Sequence, residues 1–231
     1  MIEQLKNDVY RANVELARHG LVTLTWGNVS GIDRAGRLVV IKPSGVDYQS
    51  MSASDMVVVD LDGKVMEGKL RPSSDTPTHL ELYRAFPSIG GVVHTHSLYA
   101  SMFAQACREI PCLGTTHADH FDGPVPVTRF LTAEEVDAGY EIWTGKIIVE
   151  RFSDLNSTVT PGVLVAGHAP FTWGGNPADA VENSLILERI AQMAFGSIQL
   201  NPNISALPMH IQRKHYQRKH GPEAYYGQKK S

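Results

Sequence analysis

At 231 residues and a net charge of −3, the chain is long enough to bury one substantial core without covalent staples. Its only cysteines, Cys107 and Cys112, form no Cys-x-x-Cys pair, which excludes a disulfide framework and a thiolate zinc site and leads us to expect a reducing, cytoplasmic setting. No stretch reaches the ~20 apolar residues of a membrane helix, and Met1 to Asp8 lack the apolar core of a signal peptide, so no membrane partner is expected.

Ile2, Leu5, Val9, Ala12 and Leu16 recur at spacings of three and four, which predicts an amphipathic helix ending near His19-Gly20. Residues 38–41 and 56–59 read as short strands, and Asp62-Gly63 is a hairpin turn leading into Lys64-Val65-Met66. Thr76-Pro77 has the form of an N-cap followed by proline, opening a short helix with Leu80, Tyr83 and Phe86 on its apolar face. Gly90-Gly91 then breaks the chain ahead of a buried strand, Val92-Val93, which exits at His94-Thr95-His96. Ser97 is placed to cap a helix through Tyr99, Phe103 and Ala106. Val163-Leu164-Val165 is a further buried strand, ending at Gly167-His168, and Asn176-Pro177 starts a longer helix through Leu187, Ile190, Ala191 and Ala194. This alternation gives an α/β class, and the hairpin signals favour a mostly antiparallel or mixed sheet. The last 21 residues carry six of the 21 Lys and Arg (Arg213, Lys214, Arg218, Lys219, Lys229, Lys230) against one acid, Glu223, so residues 211–231 are basic and the rest acidic. No nucleic-acid motif accompanies the basic stretch, so it is read as an intersubunit contact or an anion contact rather than a nucleic-acid site.

Side chains two apart on a strand share a face, so His94 and His96 can converge on one ion. An isolated pair serves local hydrogen bonds equally well; His168, at the end of a second apolar strand, completes the three-ligand pattern of a catalytic metal site. Asp75 is the candidate fourth group, as a helix cap, as a carboxylate beside the ion, or as both. Gly27-Asn28, Lys42-Pro43-Ser44-Gly45 and Pro72-Ser73-Ser74 each combine features that suit an anion: approachable backbone N–H groups, hydroxyls, or a lysine. Singly they read as turns, and only convergence makes them a site.

Together these segments resemble the L-ribulose-5-phosphate 4-epimerases, within the class II aldolase and adducin superfamily. The matching stretches are Thr23 to Ser30, Ile41 to Gly45, Pro72 to Thr78, Gly90 to Ser97, Gly114-Thr115-Thr116-His117-Ala118-Asp119, and, in the tail, Lys214-His215-Tyr216, Arg218 to Gly221 and Ala224-Tyr225-Tyr226-Gly227-Gln228. The tail motif is the part most specific to the epimerases, since related aldolases share the histidine pair.

The resemblance implies a class II aldolase-like single domain over residues 1–231, a mostly antiparallel central sheet flanked by helices, with residues 203–231 as a tail near a subunit interface. It implies Zn2+, or another divalent ion, on His94, His96 and His168 with Asp75 beside it. Phosphate contacts would come from Gly27, Asn28, Ser44, Gly45, Ser73 and Ser74, with Lys42 adding charge. Asp119 and Tyr226 would move protons, with His215 as an auxiliary, in a homotetramer where Tyr226 serves a neighbour's metal. The implied reaction interconverts L-ribulose 5-phosphate and D-xylulose 5-phosphate by breaking and re-forming the C3–C4 bond, because C4 carries no acidic hydrogen. His19, His79, His117, His120, His210 and His220 are read as structural. His120 is a departure, because relatives commonly have tyrosine there, and Lys229-Lys230-Ser231 runs past the usual end. Rival readings are a class II aldolase of the L-fuculose-phosphate type, which typically has glutamate where this chain has Asp75, a related dehydratase, and a non-enzymatic module like the adducin head.

Overall fold

A computed structural model describes residues 1–226; Gly227-Gln228 of the tail motif and Lys229-Lys230-Ser231 lie outside the described residues. The strands are β1 (Asn28–Asp33), β2 (Leu38–Ile41), β3 (Val57–Asp60), β4 (Val65–Glu67), β5 (Gly91–His94), β6 (Gly162–Leu164) and β7 (Pro170–Gly174); β2 to β6 fall on the expected segments, whereas β1 and β7 lie outside them. They form one sheet in the order β4-β3-β2-β1-β5-β7-β6, and every ladder in it is antiparallel. The helices are α1 (Ile2–Arg18), α2 (Thr76–Ala85), α3 (Leu98–Gln105), the single turn α4 (Thr115–Ala118), α5 (Ala133–Arg151), α6 (Pro177–Leu200) and α7 (Met209–His220). The expected α/β class with an antiparallel sheet is what the chain adopts.

Strand periodicity sorts the core onto two faces. Val39, Val57, Val59 and Val92 pack with Leu80 and Tyr83 of α2 and Ile147 and Ile148 of α5. The alternate residues face the other way: Val40 and Val58 meet Val9 of α1, and Val93 meets Leu16 of α1 and Ala180 of α6. Leu164 joins a further cluster with Phe103 of α3 and Leu187 and Ile190 of α6. Gly91 is required by close approach, since a Cβ there would lie 2.5 Å from the Asn176 carbonyl oxygen and 2.6 Å from Pro177 Cα. This lets the start of α6 press onto β5, the strand that delivers His94.

Helix starts differ from expectation in instructive ways. Asp75, not Thr76, holds the N-cap position of α2, and its side chain makes no capping bond. Ser97 occupies the N-cap of α3, but the capping acceptor is Glu188 of α6, whose Oε1 and Oε2 accept from the Tyr99 and Ala100 amides at 2.9 and 3.0 Å. Helix α5 falls outside the elements expected from periodicity, although Thr132 and Glu135 form a reciprocal capping box that is visible as Thr-x-x-Glu in the sequence. Strand β3 starts at Val57 rather than Met56.

Candidate active site

Three loops and two strand ends open on one cavity of about 520 Å³. Gly27, Asn28, Lys42, Ser44, Gly45, Ser73, Ser74, Asp75, His94, His96 and His168 all line it, so every expected metal and phosphate residue is brought together. β1 sits beside β5 with Asn28 opposite His94. Gly27 turns with φ +84°, and a Cβ there would stand 2.9 Å from the His94 carbonyl oxygen, so the first anion loop can touch the histidine strand only as glycine.

The imidazoles form a tight cluster. His94 Nε2 lies 3.1 Å from His96 Nε2 and 3.2 Å from His168 Nε2. His94 Nδ1 is 3.0 Å from the Pro170 carbonyl, an acceptor only, so Nδ1 carries the proton and Nε2 presents a lone pair to its neighbours. Burial, then the neighbouring His94 and His96, push His168 down to about 4, and burial and His94 likewise lower His96. Neutral rings with converging lone pairs repel unless a cation lies between them. Nitrogens bound about 2.0–2.1 Å from a tetrahedral ion stand about 3.3 Å apart, close to the spacings here. The donor set therefore fits a divalent metal, with the three histidines as the group that could hold it.

Asp75 faces the cluster from α2. Burial pushes its carboxyl up, but electrostatic interaction with the nearby His94 and His79 imidazoles and the Asn28 hydrogen bond outweigh this and hold it below the usual value. Asn28 Nδ2 donates to Asp75 Oδ2 at 2.6 Å and to Ser73 Oγ at 3.1 Å, which ties two of the anion loops to the carboxylate. The third loop is joined to the second by Ser44 N donating to the Arg71 carbonyl and Ser73 N donating to the Lys42 carbonyl, at 2.9 and 3.0 Å. The Lys42 ammonium donates to the carbonyls of Val46 at 2.7 Å and Pro43 at 3.3 Å and stands 4.7 Å from the Tyr48 ring centroid. Burial lowers its pKa despite the opposing pull of Asp47. Tyr48 in turn donates to the Trp26 and Gly27 carbonyls at 2.9 and 2.7 Å.

Asp119 and Tyr226 do not line this cavity. Asp119, at the end of α4, is held by α7: Arg218 donates through Nε at 2.8 Å to Oδ1 and through a terminal nitrogen at 2.6 Å to Oδ2, and His215 Nδ1 meets Oδ1 at 3.0 Å. Burial raises the Asp119 pKa, but these bonds more than reverse it, so the carboxyl lies below its ordinary value. His220 donates to the Asp119 carbonyl at 2.9 Å. His120 turns to Lys219 instead, with Nε2 at 3.2 Å, and burial and Lys219 lower it to about 4, so its neutral ring accepts a hydrogen bond from the lysine. Tyr226 folds back on the same helix, its ring 4.8 Å from the Arg218 guanidinium and 4.7 Å from Lys219 Nζ.

The cavity also contains residues that sequence reasoning missed: Thr25, Trp26, Tyr140 and Glu141. The last two come from α5, so the capping box that marks that helix was the signal that leads to them.

Residues 7–195 match the family described as Class II Aldolase and Adducin N-terminal domain. Among solved structures, the chain is similar to an L-fuculose 1-phosphate aldolase, at 25% identity and a TM-score of 0.78, over 93% of this chain and 95% of that one. It shares a fold with YgbL of Klebsiella pneumoniae, at 22% identity and a TM-score of 0.72 over 91% and 97% of the two chains. It does so too with the L-fuculose-1-phosphate aldolase of Thermus thermophilus, at 23% identity and a TM-score of 0.65 over 88% and 98%.

Proposed function

The chain belongs to the class II aldolase and adducin N-terminal domain family, and from that premise we propose that it is a divalent-metal-dependent enzyme that breaks and re-forms a carbon–carbon bond in a sugar phosphate. The observation that carries the reading is the convergence of three imidazole nitrogens, a carboxylate and three anion-suited loops on one cavity. The specific reaction is the interconversion of L-ribulose 5-phosphate and D-xylulose 5-phosphate, with Zn2+ as the ion and a homotetramer as the working assembly.

His94, His96 and His168 would hold the ion, with Asp75 beside them, and the bound ion supplies a Lewis acid for the negative charge left on the sugar when C3–C4 breaks. Ser44, Ser73 and Ser74 offer hydroxyl donors, and Gly27 and Gly45 offer approachable backbone, to the phosphate of the departing fragment. That fragment stays anchored, rotates and is attacked on its other face. Asp119 and Tyr226 move the protons on the two faces, with His215 steadying Asp119. Because both groups are gathered on the α4–α7 side and neither lines the cavity of its own chain, they act on the cavity of another copy. That arrangement favours a shared site between subunits.

The test is to incubate the zinc-loaded protein with L-ribulose 5-phosphate, which should yield D-xylulose 5-phosphate without accumulation of glycolaldehyde phosphate. A second reading, sugar-phosphate aldolase, is favoured by the names of two of the similar structures. Faster cleavage of L-fuculose 1-phosphate, or release of free glycolaldehyde phosphate from the pentulose, would put that reading first.

A further inference from the structure

We propose that Tyr140 is a positioning residue of the candidate metal centre: its phenol oxygen accepts the Nδ1 proton of His168 and so keeps His168 Nε2 as a lone pair aimed at the cluster. The inference rests on the metal-centre reading above.

The Tyr140 oxygen lies 3.2 Å from His168 Nδ1, and either atom can be the donor. The other side of the ring decides between them. His168 Nε2 stands 3.2 Å from His94 Nε2, and a nitrogen that is to ligate must be unprotonated. The single ring proton of a neutral His168 then sits on Nδ1, so His168 donates and Tyr140 accepts. His94 solves the same problem with a backbone carbonyl, that of Pro170. Tyr140 is a solvent-exposed side chain from a different helix, and its own hydroxyl proton is left for an acceptor in the cavity it lines.

The local backbone is built for this placement. Gly139 interrupts α5 with φ +138° and ψ +93°, so the helix is redirected immediately before Tyr140. On the other side of the break, Thr78 Oγ1 of α2 donates to the Glu141 carbonyl at 2.6 Å and Thr144 Oγ1 donates to the Tyr140 carbonyl at 2.8 Å. The segment that carries Tyr140 is thereby fastened to the helix that begins at Asp75. Hydrogen-bond partners of metal-ligating histidines fix the tautomer and raise ligand basicity, and their loss typically weakens metal binding about 10–100-fold.

The experiment compares wild type, Tyr140→Phe and His168→Asn as full-length, metal-free proteins titrated with Zn2+ against a competing chelator. Thermal melting of the metal-free proteins serves as the fold control, and the visible spectrum of the cobalt-substituted form reports on the ligand field. Tyr140→Phe is expected to melt with the wild type, to bind Zn2+ about 10-fold or more weakly and to show a shifted cobalt band, while His168→Asn loses binding further. Unchanged zinc affinity and cobalt spectrum in Tyr140→Phe, with binding lost in His168→Asn, would overturn the role of Tyr140 and leave the metal centre standing. Undiminished zinc affinity in both variants would overturn the metal-centre reading itself.

Discussion

Glu188 offers the sharpest test of how the fold delivers His96. Helix α3 begins two residues after that histidine, and its first amides have no acceptor within the helix. Glu188 reaches across from α6 and accepts from Tyr99 N at 2.9 Å and Ala100 N at 3.0 Å. Hydrogen bonds to a charged group contribute about 1.5–3 kcal/mol each when buried. Ala100 is fully buried, which places its bond near about 2 kcal/mol, whereas water can reach the half-buried Tyr99 amide and reduces that bond to about 1 kcal/mol. Glu188→Ala should therefore destabilise the metal-free protein by about 3 kcal/mol, or lower its Tm by about 6–12 °C at this chain length. Glu188→Gln keeps one acceptor oxygen and should lose about half as much. Urea denaturation followed by circular dichroism measures both variants. A loss below about 1 kcal/mol in Glu188→Ala, or equal losses in the two variants, would refute the capping argument.

Gly91→Ala would drive a Cβ into the Asn176 carbonyl and Pro177 Cα, both backbone atoms, and should cost about 1–3 kcal/mol in the same denaturation assay. For pH, burial holds His79 at about 3 and, with the Gly123 carbonyl bond opposing it, His117 at about 4, both below the ordinary 6.5. Through these two histidines alone the unfolded chain binds nearly two more protons than the folded one around pH 5, and His120 and His168, each also held at about 4, act in the same direction. The contribution of His79 and His117 is therefore complete only above about pH 6.5 and falls as the pH drops, by about 2.5 kcal/mol per unit near pH 5; a flat profile from pH 7 to 4.5 would contradict it. His96→Asn should fold normally but lose zinc on metal analysis, and full zinc content would remove His96 from the ligand set. Tyr226→Phe and Asp119→Asn should each lose epimerisation. If the two groups act from one chain on another chain's cavity, mixing Tyr226→Phe with a His96→Asn variant should restore activity in some mixed sites, and no recovery would count against sharing.

What could be read from the sequence was whatever depends on neighbours in the chain. The β-branched runs at residues 38–41 and 56–59 and the three-and-four spacing of α1 are local signals, and strands β2 and β3 and the first helix followed from them. The cavity was legible because each of its segments is a short motif whose chemistry is written locally, such as a histidine pair at a strand exit or a serine pair at a helix start. What escaped depends on distant partners. Nothing near Ser97 shows that its helix is capped from position 188, and nothing near Lys42 shows which way its ammonium turns. Tyr140 escaped for another reason: α5 has a weak apolar periodicity, broken at Gly139, and only its capping box announced it.

The placement of Lys42 changes how an anion can be held here. A fully buried ammonium survives only with acceptors around it, and this one has the Val46 and Pro43 carbonyls and the Tyr48 ring. Those carbonyl ends are drawn to the lysine, so the peptide dipoles of the 43–46 loop are oriented by its charge. Tyr48 does the same for the Trp26 and Gly27 carbonyls. On the proposed reading, a phosphate in this cavity would also meet N–H and hydroxyl donors at the loops and the start of α2, where the helix dipole adds to them. Lys42 and Tyr48 form the frame behind that surface: two side chains that fix two of the three loops, the third being joined through the Lys42 and Arg71 carbonyls, with the histidine face left for the proposed ion.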